Sequence, residues 1–467
     1  MDFTSIEELE QKLGVLYNNC EDFIKKKFKI KESSVFICCI REIASNEFVS
    51  EKIIKPFLVL NDFKGFNGNF DQILFSFKNT PVKSVNDACM AMHSGSVLVA
   101  VESDSLYACL TAADTYFGRA VSEPSSDVTV KGPRAGLVEN IDKNIIALRR
   151  IIRSPRLKIK THIKGSETNT RIALLYIEGR ADEKVVNSID KKLAGIQATA
   201  IIDSGNIEML LKNKRYALLP DMGSTEKTDK AASLLIAGRV IILCDGSPFA
   251  ISAPYVFAES IQSPEDYLKT PYYATFVRIL RFCALLVSLY LPALFLVAVS
   301  YTPEMVPRAL VQVIEKMREN IPVSLLTELV LMLLVFEILR EVGLRMPRTV
   351  GDAVGIVGSI VIGDAATEAG IASTTVILIV AISAVANFVT PTYMNAVVLL
   401  RMGMLVLGYL FSYFGIVCGT IILLCGLFSK QSFGVPYMTP IMPFNLKGSE
   451  DFLLAVPQKT LGRIEDL

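Results

Sequence analysis

Histidine is nearly missing from this chain, with two in 467 residues, and none of its nine cysteines forms a C-x-x-C pair. Without that spacing the sequence offers no zinc-ligand set, so neither a metal nor another cofactor is expected. An excess of either charge sign is missing as well. The 48 Lys+Arg stand against 47 Asp+Glu, which excludes a nucleic-acid binder by bulk charge. The first residues, Met-Asp-Phe-Thr-Ser-Ile-Glu-Glu-Leu-Glu, have neither a basic n-region nor an apolar h-region. Nothing in them directs the front of the chain across a membrane, and that part is expected in the cytoplasm. No G-x-G-x-x-G or G-x-x-x-x-G-K-[ST] template is present either. Gly132-Pro133, Gly165-Ser166 and Cys244-Asp-Gly-Ser-Pro248 therefore read as turns. The odd cysteine count, with Cys283, Cys418 and Cys425 inside apolar runs, suits a reducing compartment and thiols that serve as small buried hydrophobes.

Charge is unevenly spread. Residues 1–270 hold 35 basic and 34 acidic side chains, whereas residues 271–467 hold 13 of each. Charge density thus halves near residue 270, dividing a water-soluble front from a back that looks membrane-embedded. The fold class expected is two N-terminal cytoplasmic α/β subdomains, 1–125 and 126–270, then a transmembrane helical domain of four to five spans over 271–430 and a tail over 431–467. In the first subdomain, cap-like Thr4-Ser5 opens an amphipathic helix with Leu9 and Leu13 four apart. Strand-like runs follow at Val35–Ile40 and Ser96–Val101. A linker-like stretch, Val121–Val128, leads to Lys131-Gly-Pro-Arg-Ala-Gly136 at the boundary. In the second subdomain, strand-like runs at Arg171–Ile177, Ala198–Ile202 and Arg239–Leu243 alternate with helical patterns at Leu137–Ile152, Asp182–Leu193 and Thr228–Ala237. Asp203 and Asp245 follow strand-like runs, where catalytic acids often lie. Capping the next helix or turn is the commoner role, His93 and His162 read as structural, and no catalytic residue is assigned.

In the back half, the uncharged run Phe282–Pro303 with Arg278 and Arg281 before it predicts a first span over 276–299 whose N-terminal end is cytoplasmic. Residues 303–321 read as a surface segment on the far side. A second span, Val323–Gly343, carries Glu337 and Arg340 at i,i+3 and Glu341 with Arg345 at i,i+4, the spacing of a self-neutralised ladder. Glu328, an intramembrane acid unpaired by sequence, is the more suggestive residue because such groups are costly. Further spans are expected near 373–390 and 402–428. Before these, after the second span, Gly351, Gly355, Ser359 and Gly363 recur at intervals of four, forming a groove that admits another helix. Val354, Val357, Val361, Asp364 and Glu368 fall on the opposite face, within roughly an 80° arc. Around an axis they would make valine constrictions and rings of acid that attract cations. The plainer alternative is valines facing lipid and acids marking the helix end.

Seven ordered motifs carry a resemblance. They are Lys131–Gly136, Leu174-Leu-Tyr-Ile-Glu-Gly179, Gly238-Arg-Val-Ile-Ile-Leu-Cys-Asp-Gly-Ser-Pro-Phe249, Gln262-Ser-Pro-Glu-Asp-Tyr267, Phe336-Glu-Ile-Leu-Arg-Glu-Val-Gly-Leu-Arg-Met-Pro347, Val354-Gly-Ile-Val-Gly358 and Ser432-Phe-Gly-Val-Pro-Tyr-Met-Thr-Pro440. Over about residues 120–444 the chain resembles the A subunits of GerA-type spore germinant receptors, in the GerA/SpoVAF family. The resemblance implies a multi-pass protein of the spore inner membrane with its N-terminal subdomains facing the core. It further implies a homo-oligomeric, pentameric nutrient-gated ion channel working with a permease-like nutrient-binding B subunit, a lipoprotein C subunit and membrane lipid. Ala135 and Ala237 replace acids usual in the family, which puts any contact made by those acids in doubt. The alternative within the family is a SpoVAF-like accessory that amplifies germination without a nutrient-binding partner.

Overall fold

The computed structural model describes the chain apart from residues 1, 42, 45, 60–65, 75–78, 83, 104, 114–132, 134, 213–217, 320, 347–357, 359, 443–451, 453 and 455–467. The linker-like stretch and half of the Lys131–Gly136 motif lie outside the described residues. The chain divides into two compact units: Met1–Tyr216 with Asp221–Tyr255 and Ser432–Gly434, and Ala217–Pro220 with Val256–Gln431 and Val435–Leu467.

The first unit contains two five-stranded sheets with every described pairing antiparallel. In the first sheet β1 (Phe23–Ile30), β2 (Ser33–Ile40), β3 (Asn79–Pro81), β4 (Ser96–Glu102) and β5 (Leu106–Ala112) lie in the order β1-β2-β4-β5-β3. Alternation along β2 and β4 splits their residues between two cores, because successive side chains point to opposite faces. Phe36, Cys38, Ile40, Leu98 and Ala100 pack with helices α1 (Ile6–Leu16) and α2 (Val85–His93). Val35, Ile37, Cys39, Val97, Val99 and Val101 pack with Ile53, Phe57, Phe70 and Leu74 on the other side. Ser5 caps α1 by accepting from Glu8 N, as the sequence predicts.

The second sheet contains β6 (Leu157–Lys164), β7 (Thr170–Ile177), β8 (Gly223–Thr225), β9 (Val240–Cys244) and β10 (Ala250–Ala253), in the order β6-β7-β9-β10-β8. Helices α3 (Ile141–Ile151) and α6 (Thr228–Ile236) close one core over Ile159, Ala173, Leu175, Ile241 and Leu243. Between them in the chain lie α4 (Glu183–Ala194), capped by Asp182, and α5 (Ser204–Leu211). The expected strand at Ala198–Ile202 is not one. Its backbone carbonyls accept instead from Ser166 N, Glu167 N and the Thr170 hydroxyl, so its apolar residues serve a loop pinned to the β6–β7 turn. The two sheets are stitched by a bridge between Cys20 and Ile159, by Lys158 Nζ donating to Leu16 O at 2.8 Å, and by a buried ion pair. Arg149 donates Nε and Nη2 to the two Asp22 oxygens, each at 2.9 Å.

The second unit is helical: α7 (Pro271–Tyr301), α8 (Arg308–Arg318), α9 (Leu325–Arg345), α10 (360–368) and α11 (Thr374–Phe388), followed by the stretch Met394–Ser429. Two stretches among the described residues are long and apolar enough to cross a membrane, Pro271–Tyr301 and Pro391–Ser429. The latter is not one rod. Ser412 has φ 57 and ψ −145, which no helix accommodates, and the chain folds back into α12 (394–411) and α13 (413–429). A Cβ on Gly419 would stand 2.7 Å from Met404 Sδ and 2.9 Å from Leu407 Cδ1, and one on Gly415 would collide with Leu407 O. In a straight helix residues 404 and 419 would be about 22 Å apart. The hairpin therefore needs both glycines, and the single span expected over 402–428 is two helices.

Candidate functional site

The helix α10 holds the described part of the expected pore face. Val361 is 57% exposed and Ile360 58%, and Asp364 and Glu368 are exposed beside them. Ala366, on the opposite side at 100° per residue, is buried in a core with Leu329, Met332 and Leu333 of α9 and Val376 and Val380 of α11. The helix is thus two-sided within one chain. Of the groove residues, Gly363 has open space where a Cβ would be, while Gly351, Gly355 and Ser359 lie outside the described residues, as do Val354 and Val357. Among the described residues neither carboxylate of α10 has a side-chain partner.

Glu328 is fully buried, but it is not unpaired. Arg318 Nε, at the end of α8, lies 3.3 Å from Oε2, and the backbone N and hydroxyl of Ser373, the N-cap of α11, both donate to Oε1 at 2.5 Å. This carboxylate therefore fastens three helices at one end of the unit. Its partners lie 10 and 45 residues away in sequence, beyond the reach of helical spacing rules.

The expected ladder is present and extends further. Arg340 Nη2 stands 2.7 Å from Glu337 Oε2, and Arg345 Nε 2.7 Å from Glu341 Oε1. Arg401 of α12, 1% exposed, joins the first pair: Nη2 is 3.0 Å from Glu337 Oε1, and Nη1 donates to Ser383 Oγ of α11 at 2.9 Å. Two guanidiniums share one carboxylate there. At the start of α7, Asp266 binds Arg281 through both oxygens, at 2.7 and 3.0 Å, with Arg278 Nε at 3.4 Å. The two arginines that flank the apolar run are thus engaged with a buried acid.

These features can be set beside known proteins. The profile of the Bacillus/Clostridium GerA spore germination protein family matches residues 8–465. The chain belongs to that family. It is 36% identical to spore germination protein KA of Bacillus subtilis (strain 168) over 465 residues, covering 97% of this chain and 84% of the relative. It is 34% identical to spore germination protein A1 of the same organism over 343 residues, covering 73% and 71%. Among solved structures it is similar to the N-terminal domain of the A subunit of the Bacillus megaterium spore germinant receptor GerK3, with a TM-score of 0.41 at 25% identity, over 54% of this chain and 95% of that one.

Several GerA motifs prove to be structural fasteners. Asp245, at the end of β9, accepts from Ile141 N at 3.2 Å and so holds the start of α3. Asp203 caps α5 in a capping box with Asn206; its carboxyl is held below the usual range by hydrogen bonding from Ser247, then by the Ser204 and Gly205 amides. Asp203 caps the next helix as the sequence favours, whereas Asp245 serves a helix 104 residues before it. His93, 3.1 Å from the Tyr17 hydroxyl, is pushed down to about 3 by burial and by Arg149, so it is neutral. In the C-terminal motif Ser432 accepts from Tyr255 N at 3.0 Å and donates to Asp221 O at 2.6 Å. The Tyr437 hydroxyl lies 2.8 Å from that of Tyr393. Arg401 is the functional candidate that sequence reasoning missed. Its signal was a lone base between two long uncharged runs.

Proposed function

We propose that this GerA-family chain is the A subunit of a nutrient-gated receptor of the spore inner membrane. It assembles as a ring in which the 350–370 helices line a cation path and works with a permease-like B subunit and a lipoprotein C subunit. The observation that carries the reading is the two-sidedness of α10. Ala366 is packed inward, while Val361, Asp364 and Glu368 are exposed on the far face. An exposed carboxylate pair next to an exposed valine is poorly suited to hydrocarbon and well suited to a water-filled axis.

The helical layout supports six crossings. The hydrogen bonds between Glu328 and Ser373 join the starts of α9 and α11, which favours a return crossing between them. The hairpin at Ser412 adds one crossing more, which makes the number even. An even number leaves front and tail on one side, a reading supported by the grouping of Ser432–Gly434 with the first unit. Val361→Ala is the test. Spores carrying it are expected to lose monovalent cations or to germinate without nutrient, and Asp364→Asn to slow cation release. Nutrient dependence and ion retention like those of the parent in both variants would remove this face from the path.

A further inference from the structure

The cluster of Glu337, Arg340, Arg401 and Ser383 is incomplete. Two guanidiniums face one carboxylate, leaving one net positive charge between α9, α11 and α12. Among the described residues three donors, the Nε of Arg401 and the Nε and Nη1 of Arg340, are buried with no hydrogen-bond partner, against one such acceptor in the cluster, Glu337 Oε2. Neighbouring groups do not supply one. The Ser383 hydroxyl accepts from Arg401 and donates to Ser288 O at 3.2 Å, and Glu341 is engaged with Arg345. A buried guanidinium without its full set of acceptors is costly, so the arrangement calls for one further anionic group with several oxygens.

The place of the cluster favours one source. Arg340 lies five residues before the end of α9, about 8 Å along its axis, and Arg401 seven residues after the start of α12, about 10 Å. The side chains of Arg340 and Glu337 are 15% and 17% exposed, so the cluster opens to the outside of the unit there. On the same side α9 exposes Leu344, next to Arg340 at 100° per residue, and Leu334, next to Glu337. Shallow burial, an apolar surround and forked donors match a lipid headgroup phosphate with its acyl chains alongside.

We propose that the Glu337–Arg340–Arg401 cluster binds the phosphate of an anionic phospholipid. The proposal rests on the membrane placement argued above but not on the pore. Its test is lipid carried through detergent extraction of the full chain from vesicles of phosphatidylcholine mixed with phosphatidylglycerol, quantified per chain by mass spectrometry. The parent chain retains phosphatidylglycerol in preference to phosphatidylcholine. Arg340→Gln loses that retention by about tenfold or more, the size of a charge-assisted hydrogen bond. Arg340→Lys, which keeps the charge without the fork, falls between. Arg345→Gln, which removes an exposed charge nearby, changes little.

Equal retention by Arg340→Gln and the parent overturns the proposal, as does an equal loss in Arg340→Gln and Arg345→Gln. Displacement of the lipid by inorganic phosphate at matched concentration overturns the lipid as the source of the anion. Retention unchanged while Arg340→Gln dissociates the oligomer would assign the missing group to an acid of a second copy instead. A chain that fails to float with vesicles defeats the membrane reading. One that floats without preferring phosphatidylglycerol defeats only this proposal.

Discussion

Arg149 and Arg401 are both buried arginines, and their surroundings differ in kind. Arg149, in the first unit, has Asp22 on two nitrogens at 2.9 Å and Ser154 O at 3.3 Å from the third. Arg401, in the second, shares Glu337 with Arg340 and keeps an unpartnered Nε. The first arrangement is closed, and its work is to join two sheets of one chain. The second is open, with two guanidiniums on one carboxylate. The two arginines thus separate a matched buried pair from an unmatched one.

The contrast can be broken by substitution. The largest effect is expected at Asp22. Asp22→Ala strands Arg149 in the interior and should cost about 3–5 kcal/mol in urea unfolding of the full chain followed by far-UV circular dichroism. A loss near that of a surface pair would mean that Arg149 finds another acceptor. A smaller effect is expected from the double substitution Glu337→Gln with Arg401→Met. It should cost less than the sum of the singles, with a coupling of about 1–3 kcal/mol in thermal unfolding in detergent. Strict additivity would show that the two groups do not sense one another. The smallest is at Asp203. Its carboxyl is held low in the folded state, so its contribution is present above the unfolded value near 4 and is lost as pH falls through the folded value. Asp203→Asn keeps the cap and should flatten the acid limb of stability below about pH 4 while leaving neutral pH nearly unchanged. An unchanged acid limb would move the pH dependence to other carboxylates.

Much of the first unit was legible because its elements obey local rules. Ser5, Asp182 and Asp203 cap helices where the sequence offers cap residues, and Val35–Ile40 and Ser96–Val101 are strands with apolar side chains on both faces. Strand β1, Phe-Ile-Lys-Lys-Lys-Phe-Lys-Ile, was missed because it is a sheet edge whose lysines mask the period-2 pattern. Ala198–Ile202 was read as a strand because apolarity without pairing information cannot distinguish strand from pinned loop. The turn at Ser412 was invisible for a different reason. The run 402–429 has neither charge nor proline to mark a reversal, and the glycines that permit it read as ordinary small residues of a membrane helix. Of the candidate site, helical period put Val361, Asp364 and Glu368 on one face, and these three are exposed. The Glu328 clamp and the Arg401 cluster were not, because each draws its partners from helices far apart in the chain.

The first unit borrows three residues from near the end of the chain. Tyr255 N and Asp221 O wait for Ser432, and Lys192 for the ring of Phe433, at 4.8 Å. A ribosome delivers those residues only after every helix of the second unit has been made. The front can therefore collapse early during synthesis, yet it acquires these last internal partners only when the helical part has been made. A nascent chain stalled among the helices would carry an unfinished front.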